Sequence, residues 1–259
     1  MTSSSPLWFP HRTLRAAPRW RLFCFAFAGG AASYFRPWGR LVPDDVEIWP
    51  VEMPGHGVRI AEPLVDDIGE IARAAAAQIA LHADLPMVLF GHSMGSAIGL
   101  EVARELEAAG VRPLLFAPSG RPAPQVAPSR QVHLKSREGI RQEMIRLAGT
   151  EREIVENEEL MDIVLPIVRN DFKLIETNPV SITPPIAAPT LTVCGDSDED
   201  ATEEGLRAWG AVTSSDFSVR MFPGGHFYLN EAAADVLAVV CAEAEARLEA
   251  TGAAARLSA

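Results

Sequence analysis

The nine residues at 87–95, MVLFGHSMG, constrain this chain more than any other segment. Four apolar residues run directly into Gly-x-Ser-x-Gly, and a helical pattern follows over 96–109. A strand can pass into a helix through so tight a turn only if the residues two before and two after the turning serine lack side chains, because the flanking backbones approach closely. The expected unit is therefore a strand at 87–90, a turn at Ser93 and a helix at 94–109. Such a turn exposes the serine oxygen at the carboxyl end of its strand. The amides and the positive dipole end of the next helix point at the same place.

A tight strand–turn–helix needs a sheet around it. Apolar runs at 22–27, 46–51, 114–116, 190–194 and 217–222 read as further strands, several without strict alternation, as expected when both faces of a parallel sheet are covered. Helical patterns lie at 68–82, 203–209 and about 230–248. Strands alternating with helices predict a doubly wound α/β architecture, and 259 residues with 48% hydrophobic content suffice for one large core spanning 1–259. The alternation breaks between about 118 and 189. Pro118, Pro122 and Pro124 mark a loop there. Two helical patterns follow, one with Ile140, Met144 and Leu147 on a face, the other with Met161, Leu165, Val168, Phe172 and Ile175. Pro166 lies inside the second and is expected to kink or interrupt it. We read an insertion at about 120–185 as a lid over an apolar channel; extra packing on the sheet is the plainer alternative.

The net charge of −11 disfavours nucleic acid and anionic membrane surfaces as partners. Cys24, Cys194 and Cys241 are widely spaced and form no CxxC pair, so neither a disulfide framework nor a zinc site is expected, which fits a cytoplasmic protein. Arg12, Arg15, Arg19 and Arg21 before an apolar run loosely imitate a secretory signal. The run is better read as the first core strand, because the loop after it is needed below.

A serine hydroxyl is a weak nucleophile and requires a base. Of six histidines, His226 has the right place: it follows the strand at 217–222 and the loop Pro223-Gly224-Gly225, and precedes the last helix. In the α/β-hydrolase fold, to which the turn at Ser93 points, the base comes last in the chain on such a loop. His92 neighbours the serine but points elsewhere, and His56 lies in a Pro-Gly-His-Gly turn after a strand. The acid that orients the base belongs between Ser93 and His226. The loop after 190–194 offers Asp196, Asp198, Glu199 and Asp200, and local chemistry does not choose among them. One oxyanion amide should come from Met94, the residue after the nucleophile. The other should come from Ala28-Gly29-Gly30, the loop after the first strand. No phosphate-binding fingerprint and no ligand cluster suggests a cofactor or a metal.

Taken together, Leu22–Phe25 with Ala28-Gly29-Gly30, Pro54-Gly55, the GHSMG turn, Arg169-Asn170-Asp171-Phe172, Trp209 and Phe222-Pro223-Gly224-Gly225-His226-Phe227 resemble the type II thioesterases that edit polyketide synthases and non-ribosomal peptide synthetases. The resemblance runs from about 22 to 248. It implies that Asp198, in Gly195-Asp196-Ser197-Asp198, is the acid, that Ala28 supplies the second oxyanion amide, and that Thr202 matches a residue often found after the acid. The chain departs from the family pattern at Ala26-Phe27 and at Glu199. The implied activity is hydrolysis, by Ser93, His226 and Asp198, of acyl or aminoacyl thioesters on the phosphopantetheine arm of an acyl or peptidyl carrier protein. No cofactor is involved, and a monomer is expected. Phe27, Met144 and Phe172 are the candidate acyl-contacting side chains. A carboxylesterase or lipase acting on small oxygen esters, or a non-catalytic hydrolase-like binding protein, are the competing functions. If the serine is the nucleophile, Ser93→Ala leaves a folded protein whose hydrolytic rate drops by several orders of magnitude, roughly the 10⁶-fold typical of nucleophile removal; steady-state turnover beside a circular dichroism spectrum checks it.

Overall fold

The computed structural model describes residues 6–127, 130–147 and 155–257. Its framework is one sheet of six parallel strands: β1 (Trp20–Phe25), β2 (Val46–Pro50), β3 (Met87–His92), β4 (Leu115–Ser119), β5 (Thr190–Gly195) and β6 (Phe217–Phe222). They lie in the order β2-β1-β3-β4-β5-β6. Parallel neighbours need crossovers, supplied by α1 (Ile68–Ala80), α2 (Met94–Ala108) and α5 (Glu203–Arg207). The insertion helices α3 (Arg137–Leu147) and α4 (Glu158–Thr177) lie between β4 and β5, and α6 (Leu229–Leu257) closes the chain. This is the doubly wound α/β architecture expected. Among the described residues, no helix is long and apolar enough to cross a membrane.

Alternation along β1 divides the core in two. Phe23 and Phe25 pack with α1 and α2 on one face, whereas Leu22 and Cys24 pack with α6 on the other. Every residue of β1 is buried, which accounts for a run with no polar face. The strand begins two residues earlier than expected and ends two earlier. Arg21 hid its start: a charged residue there argues against a buried strand, yet its guanidinium is paired with Glu47 at 2.9 Å and Asp84 at 2.6 Å. It also lies 4.9 Å from the Trp49 ring centroid. Burying a charge is tolerated when its partners come with it.

Two prolines sit inside elements rather than at their ends. Pro118, expected in a loop, lies in β4 opposite Gly91. On the β5 side, Phe116 N–H donates to Pro189 O and Gly120 N–H to Val193 O, and Pro118 occupies the skipped position between them. The strand loses one bond there and no more. Pro166 does not interrupt α4, which continues from Glu158 to Thr177. Asn157 caps its start, and Met161, Val168 and Leu174 bury its face on both sides of the proline. Tertiary burial outweighs the roughly 3 kcal/mol that an interior proline costs.

Strand order reverses between β1 and β3: the chain moves outward to β2 and returns to the other side of β1. In open α/β sheets, the loops after two such strands diverge and leave a crevice at their carboxyl ends. The loop after Phe25 and the turn at Ser93 border that crevice. The fold therefore depends on how closely α2 approaches β1: a Cβ on Gly95 would lie 2.2 Å from the Phe25 carbonyl oxygen. Gly95→Ala is accordingly expected to destabilise the protein by about 3 kcal/mol or more, read as a lowered urea midpoint; an unchanged midpoint would refute this account of the approach.

Candidate active site

Ser93 sits at φ 54°, ψ −112°, a conformation that costs a non-glycine residue of order 1–3 kcal/mol and persists only where its surroundings enforce it. Three contacts enforce it. A Cβ on Gly91 would lie 2.1 Å from Gly95 O, so strand and helix backbones touch across the turn. Ser93 N–H donates to Ser119 O at 2.8 Å. The Ser96 hydroxyl lies 2.7 Å from Gly91 O and 2.9 Å from Ser119 O, and Ser119 N–H donates back to it at 3.0 Å. The serine turn is thus tied to the end of β4.

The ends of β5 and β6 bring a histidine and a carboxylate together. Gly195 and Phe222 are paired across the ladder, and beyond them Asp196 N–H donates to Phe222 O and Ser197 N–H to Gly224 O. A side chain on Gly195 would strike the Gly224 and Gly225 carbonyls at 2.3 Å, so the loops close only over a glycine. His226 Nδ1 lies 2.8 Å from Asp198 Oδ2. Asp198 is buried, and its second oxygen accepts the Asp200 N–H at 2.9 Å. Burial would raise its pKa, but the His226 hydrogen bond and charge, with the Asp200 amide, outweigh it and hold the carboxyl below its ordinary value. A carboxylate at Nδ1 keeps the proton there and leaves Nε2 as the free acceptor. The other three acids are engaged elsewhere or solvated. Asp196 accepts from Ser197 Oγ and Gly224 N, Asp200 pairs with Arg130 and Arg146, and Glu199 is exposed. Thr202 caps α5 through the Gly205 N–H, a structural task.

Met94, as the first residue of α2, has an N–H without an intrahelical acceptor. In the loop after β1, Gly29 N–H donates to Asp171 Oδ2 at 2.7 Å and Gly30 N–H to Phe27 O at 2.8 Å. Among the described residues, the Ala28 N–H between Phe27 and Gly29 has no acceptor. Two uncommitted amides thus come from the segments that border the crevice at Ser93.

Two cavities meet at Ser93 and His226. The smaller, about 30 Å³, is an apolar slot walled by Phe27, Ala28, Met144, Val168, Phe172 and Phe227. All three candidate acyl-contacting residues lie on it. The larger, about 270 Å³, reaches outward past Gly120, Arg121, Ile175 and Pro179. Arg121 is its one unusual charge. Its Nε is shut off from solvent and has no hydrogen-bond partner among the described residues, and burial, partly offset by Glu176, lowers the guanidinium to about 10. The other cation on this wall, Arg130, is paired with Asp200. His92 forms the wall behind His226: buried, neutral because burial holds its pKa well below the usual range, and bonded through Nδ1 to Ser119 Oγ. Tyr228 OH completes that chain at 2.9 Å.

His56, Asp171 and Arg121 were not singled out for chemistry by sequence. A signal existed for Asp171: it shares the apolar face of Val168, Phe172 and Ile175, and a buried carboxylate demands a partner. That partner is His56 Nε2, at 2.9 Å and 115 residues away, a separation no local pattern spans. Among the described residues, no group of three or more His, Cys, Asp or Glu side chains could hold a metal ion.

Residues 20–244 match the model of the thioesterase domain family. The gramicidin S biosynthesis protein GrsT of Aneurinibacillus migulanus is 34% identical over 236 residues, covering 90% of this chain and 92% of that protein. Thioesterase PikA5 of Streptomyces venezuelae is 37% identical over 213 residues, 82% of this chain and 76% of PikA5. Among solved structures, the RedJ thioesterase of the prodiginine pathway in Streptomyces coelicolor superposes with a TM-score of 0.82 at 34% identity, covering 88% of this chain and 87% of RedJ. The type II thioesterase BorB from the borrelidin cluster gives 0.83 at 31%, covering 94% of this chain and all of BorB. In the geometry around His226, Asp198→Asn is expected to lower kcat by about four decades, as for an orienting carboxylate, while Asp196→Asn and Asp200→Asn stay within a few-fold of wild type; kcat values for the three purified variants decide it.

Proposed function

The chain belongs to the thioesterase family, and on that premise we propose that it hydrolyses acyl or aminoacyl thioesters carried on the phosphopantetheine arm of a carrier protein, clearing stalled groups from a polyketide or non-ribosomal peptide assembly line. The observation that carries this reading is the strained Ser93 turn opening, with the Asp198–His226 pair, onto a cavity bordered by two uncommitted amides. Relatives and solved structures named for such pathways support the choice of substrate class.

The geometry supports a two-step acyl transfer through Ser93. His226 Nε2 takes the proton of Ser93 Oγ as that oxygen bonds to the thioester carbonyl carbon. The charge moves to the carbonyl oxygen, where the Ala28 and Met94 N–H groups receive it. Asp198 stabilises the imidazolium. The C–S bond breaks, and the proton on Nε2 passes to the departing sulfur, leaving an acyl-serine. Water then gives a proton to His226 and attacks the acyl carbon; the C–O bond to Ser93 breaks, the serine regains its proton and the carboxylic acid leaves. Thiols ionise near pKa 8.5, so the leaving sulfur needs less acid assistance than an alkoxide would. Thioesters therefore suit a base whose main task is to activate the nucleophile.

The cavities support short acyl groups. The slot, about 30 Å³ against about 270 Å³ for the wider cavity, admits the end of a short chain without rearrangement. The wider cavity fits the arm, whose extended reach is roughly 20 Å, and Arg121 faces it with donors suited to the arm's carbonyl oxygens. Met144 and Leu147 of α3 close the slot from above, so we place the moving lid at α3. α4 is tied to segments outside the insertion: Asn170 donates to the Val65 carbonyl and Asp171 accepts the Gly29 N–H.

Two measurements test this reading. Carrier-bound acetyl and butyryl thioesters should be hydrolysed with a kcat/KM at least about tenfold above matched oxygen esters and above an octanoyl thioester. Met144→Ala should then shift preference toward the longer chain by about tenfold, the scale of one or two methylenes in an apolar pocket. Faster turnover of oxygen esters would favour the esterase alternative.

A further inference from the structure

The helix that lays Val168 and Phe172 over the slot also grips the oxyanion loop, through a charge pair that the reaction above does not use. Asp171 Oδ2 accepts the Gly29 N–H at 2.7 Å and lies 2.9 Å from His56 Nε2. His56 Nδ1 lies 2.9 Å from the Pro54 carbonyl oxygen. A carbonyl oxygen and an ionised carboxylate can only accept, so both ring nitrogens donate and the ring is an imidazolium facing a carboxylate. The histidine is 3% exposed and the aspartate 1%. Burial disfavours the ring's charge, but Asp171, the Pro54 carbonyl and Glu52 outweigh it and raise the His56 pKa. Glu52 is itself buried, and its carboxylate accepts the Ala32 N–H at 3.0 Å and the Val58 N–H at 3.3 Å.

The loop after β1 is therefore fixed at two places by carboxylates, Gly29 by Asp171 and Ala32 by Glu52. Gly29 has φ +78°, and a Cβ on it would stand 2.6 Å from Val168 Cγ2, so helix and loop meet where no side chain fits. The Gly29 N–H belongs to the peptide plane that follows Ala28. Aiming that N–H at Asp171 fixes the rotation of the plane, which joins at the Ala28 Cα the plane carrying the Ala28 N–H, a donor with no acceptor among the described residues. A lone carboxylate beside the oxyanion would oppose the negative charge that develops there. The His56 imidazolium cancels it, which explains why a buried cation accompanies the anchor.

We propose that the buried His56–Asp171 pair is a positioning dyad for the oxyanion hole, in which Asp171 sets the Ala28 amide through Gly29 and His56 neutralises the carboxylate that does so. The inference rests on the reading of Ala28 as an oxyanion donor. It also makes α4 a fixed part of the catalytic frame rather than part of a swinging lid.

The test compares wild type with Asp171→Asn, His56→Gln and the double variant. Three quantities are read: kcat and KM on a short-chain p-nitrophenyl ester, inhibition by an alkyl boronic acid that forms a tetrahedral adduct with Ser93, and binding of the corresponding carboxylic acid product. Asp171→Asn is expected to lower kcat by about 10–100-fold, less than outright loss of an oxyanion donor, with KM and product affinity within about twofold. Boronate affinity should weaken by the same factor as kcat/KM. His56→Gln leaves an uncompensated carboxylate and should lose more than Asp171→Asn, and the double variant should recover part of that loss. Wild-type kcat in a folded Asp171→Asn, or a fall in kcat with boronate affinity unchanged, would overturn the proposal. If His56→Gln does not fold, Asp171→Asn and the double variant still decide it. These probes need no carrier protein, so an intact boronate contrast without turnover of carrier thioesters would uphold the dyad and count against the substrate assignment instead.

Discussion

Everything at this site follows from one close approach of backbones. Gly91 touches Gly95 across the turn, and Gly95 touches the last carbonyl of β1. No side chain can enter either contact, so strand, turn and helix lock together and Ser93 is held at positive φ. The strain is small beside the burial of β1, β3 and α2, all in the core. Because β1 and β3 flank the reversal of strand order, the same approach places the loop after Phe25 beside the serine. Ser93, the loop after β1 and a helix N-terminus thus share one crevice without any segment being built for that alone.

Charge in this protein is buried in pairs, and the pairs occupy the joints. Arg21 with Glu47 and Asp84 ties β1 to β2 and to the turn before β3. Asp198 with His226 ties the loop after β5 to the loop after β6. Asp171 with His56 ties the insertion to the loops after β1 and β2. Buried pairs are a weak source of stability, because desolvation takes back most of the attraction. They are a strong source of position, because a displaced partner leaves an unpaired charge in a low-dielectric interior. Arg121 breaks the pattern: among the described residues its Nε, on the wall of the larger cavity, has no hydrogen-bond partner.

The insertion divides its work. Its small apolar core joins Val132, Ile140, Met144, Val155, Met161 and Val168 and is separate from the two cores that sandwich the sheet. α4 is bound to the sheet side through Asn170 and Asp171. By contrast, α3 is held by its apolar face and by half-exposed ion pairs, Arg137 and Arg141 with Glu158 of α4 and Arg146 with Asp200 of the loop after β5. Surface pairs contribute little each. The two helices read alike in sequence, yet they differ in what moving them would cost.

The sequence by itself determined the sheet, the turn at Ser93 and the order in which the candidate site residues appear. Those depend on local physics: the spacing of Gly91, Ser93 and Gly95, apolar runs without a polar face, and His226 on a glycine loop after the last strand. A charged Arg21 hid the start of β1, and Pro118 and Pro166 suggested breaks where none occur, because local rules cannot see a partner strand or a supporting core. From the residues alone the four acids of 196–200 stayed equivalent, since each satisfies the same local pattern. Only the tertiary structure put Asp198 within hydrogen-bond reach of an imidazole and turned Asp196 and Asp200 to other partners. It alone joined His56 to Asp171 across 115 residues of chain. Periodicity reports which face of an element is buried. Which buried charge meets which is decided by the closing of loops far apart in sequence, and no spacing along the chain encodes that distance.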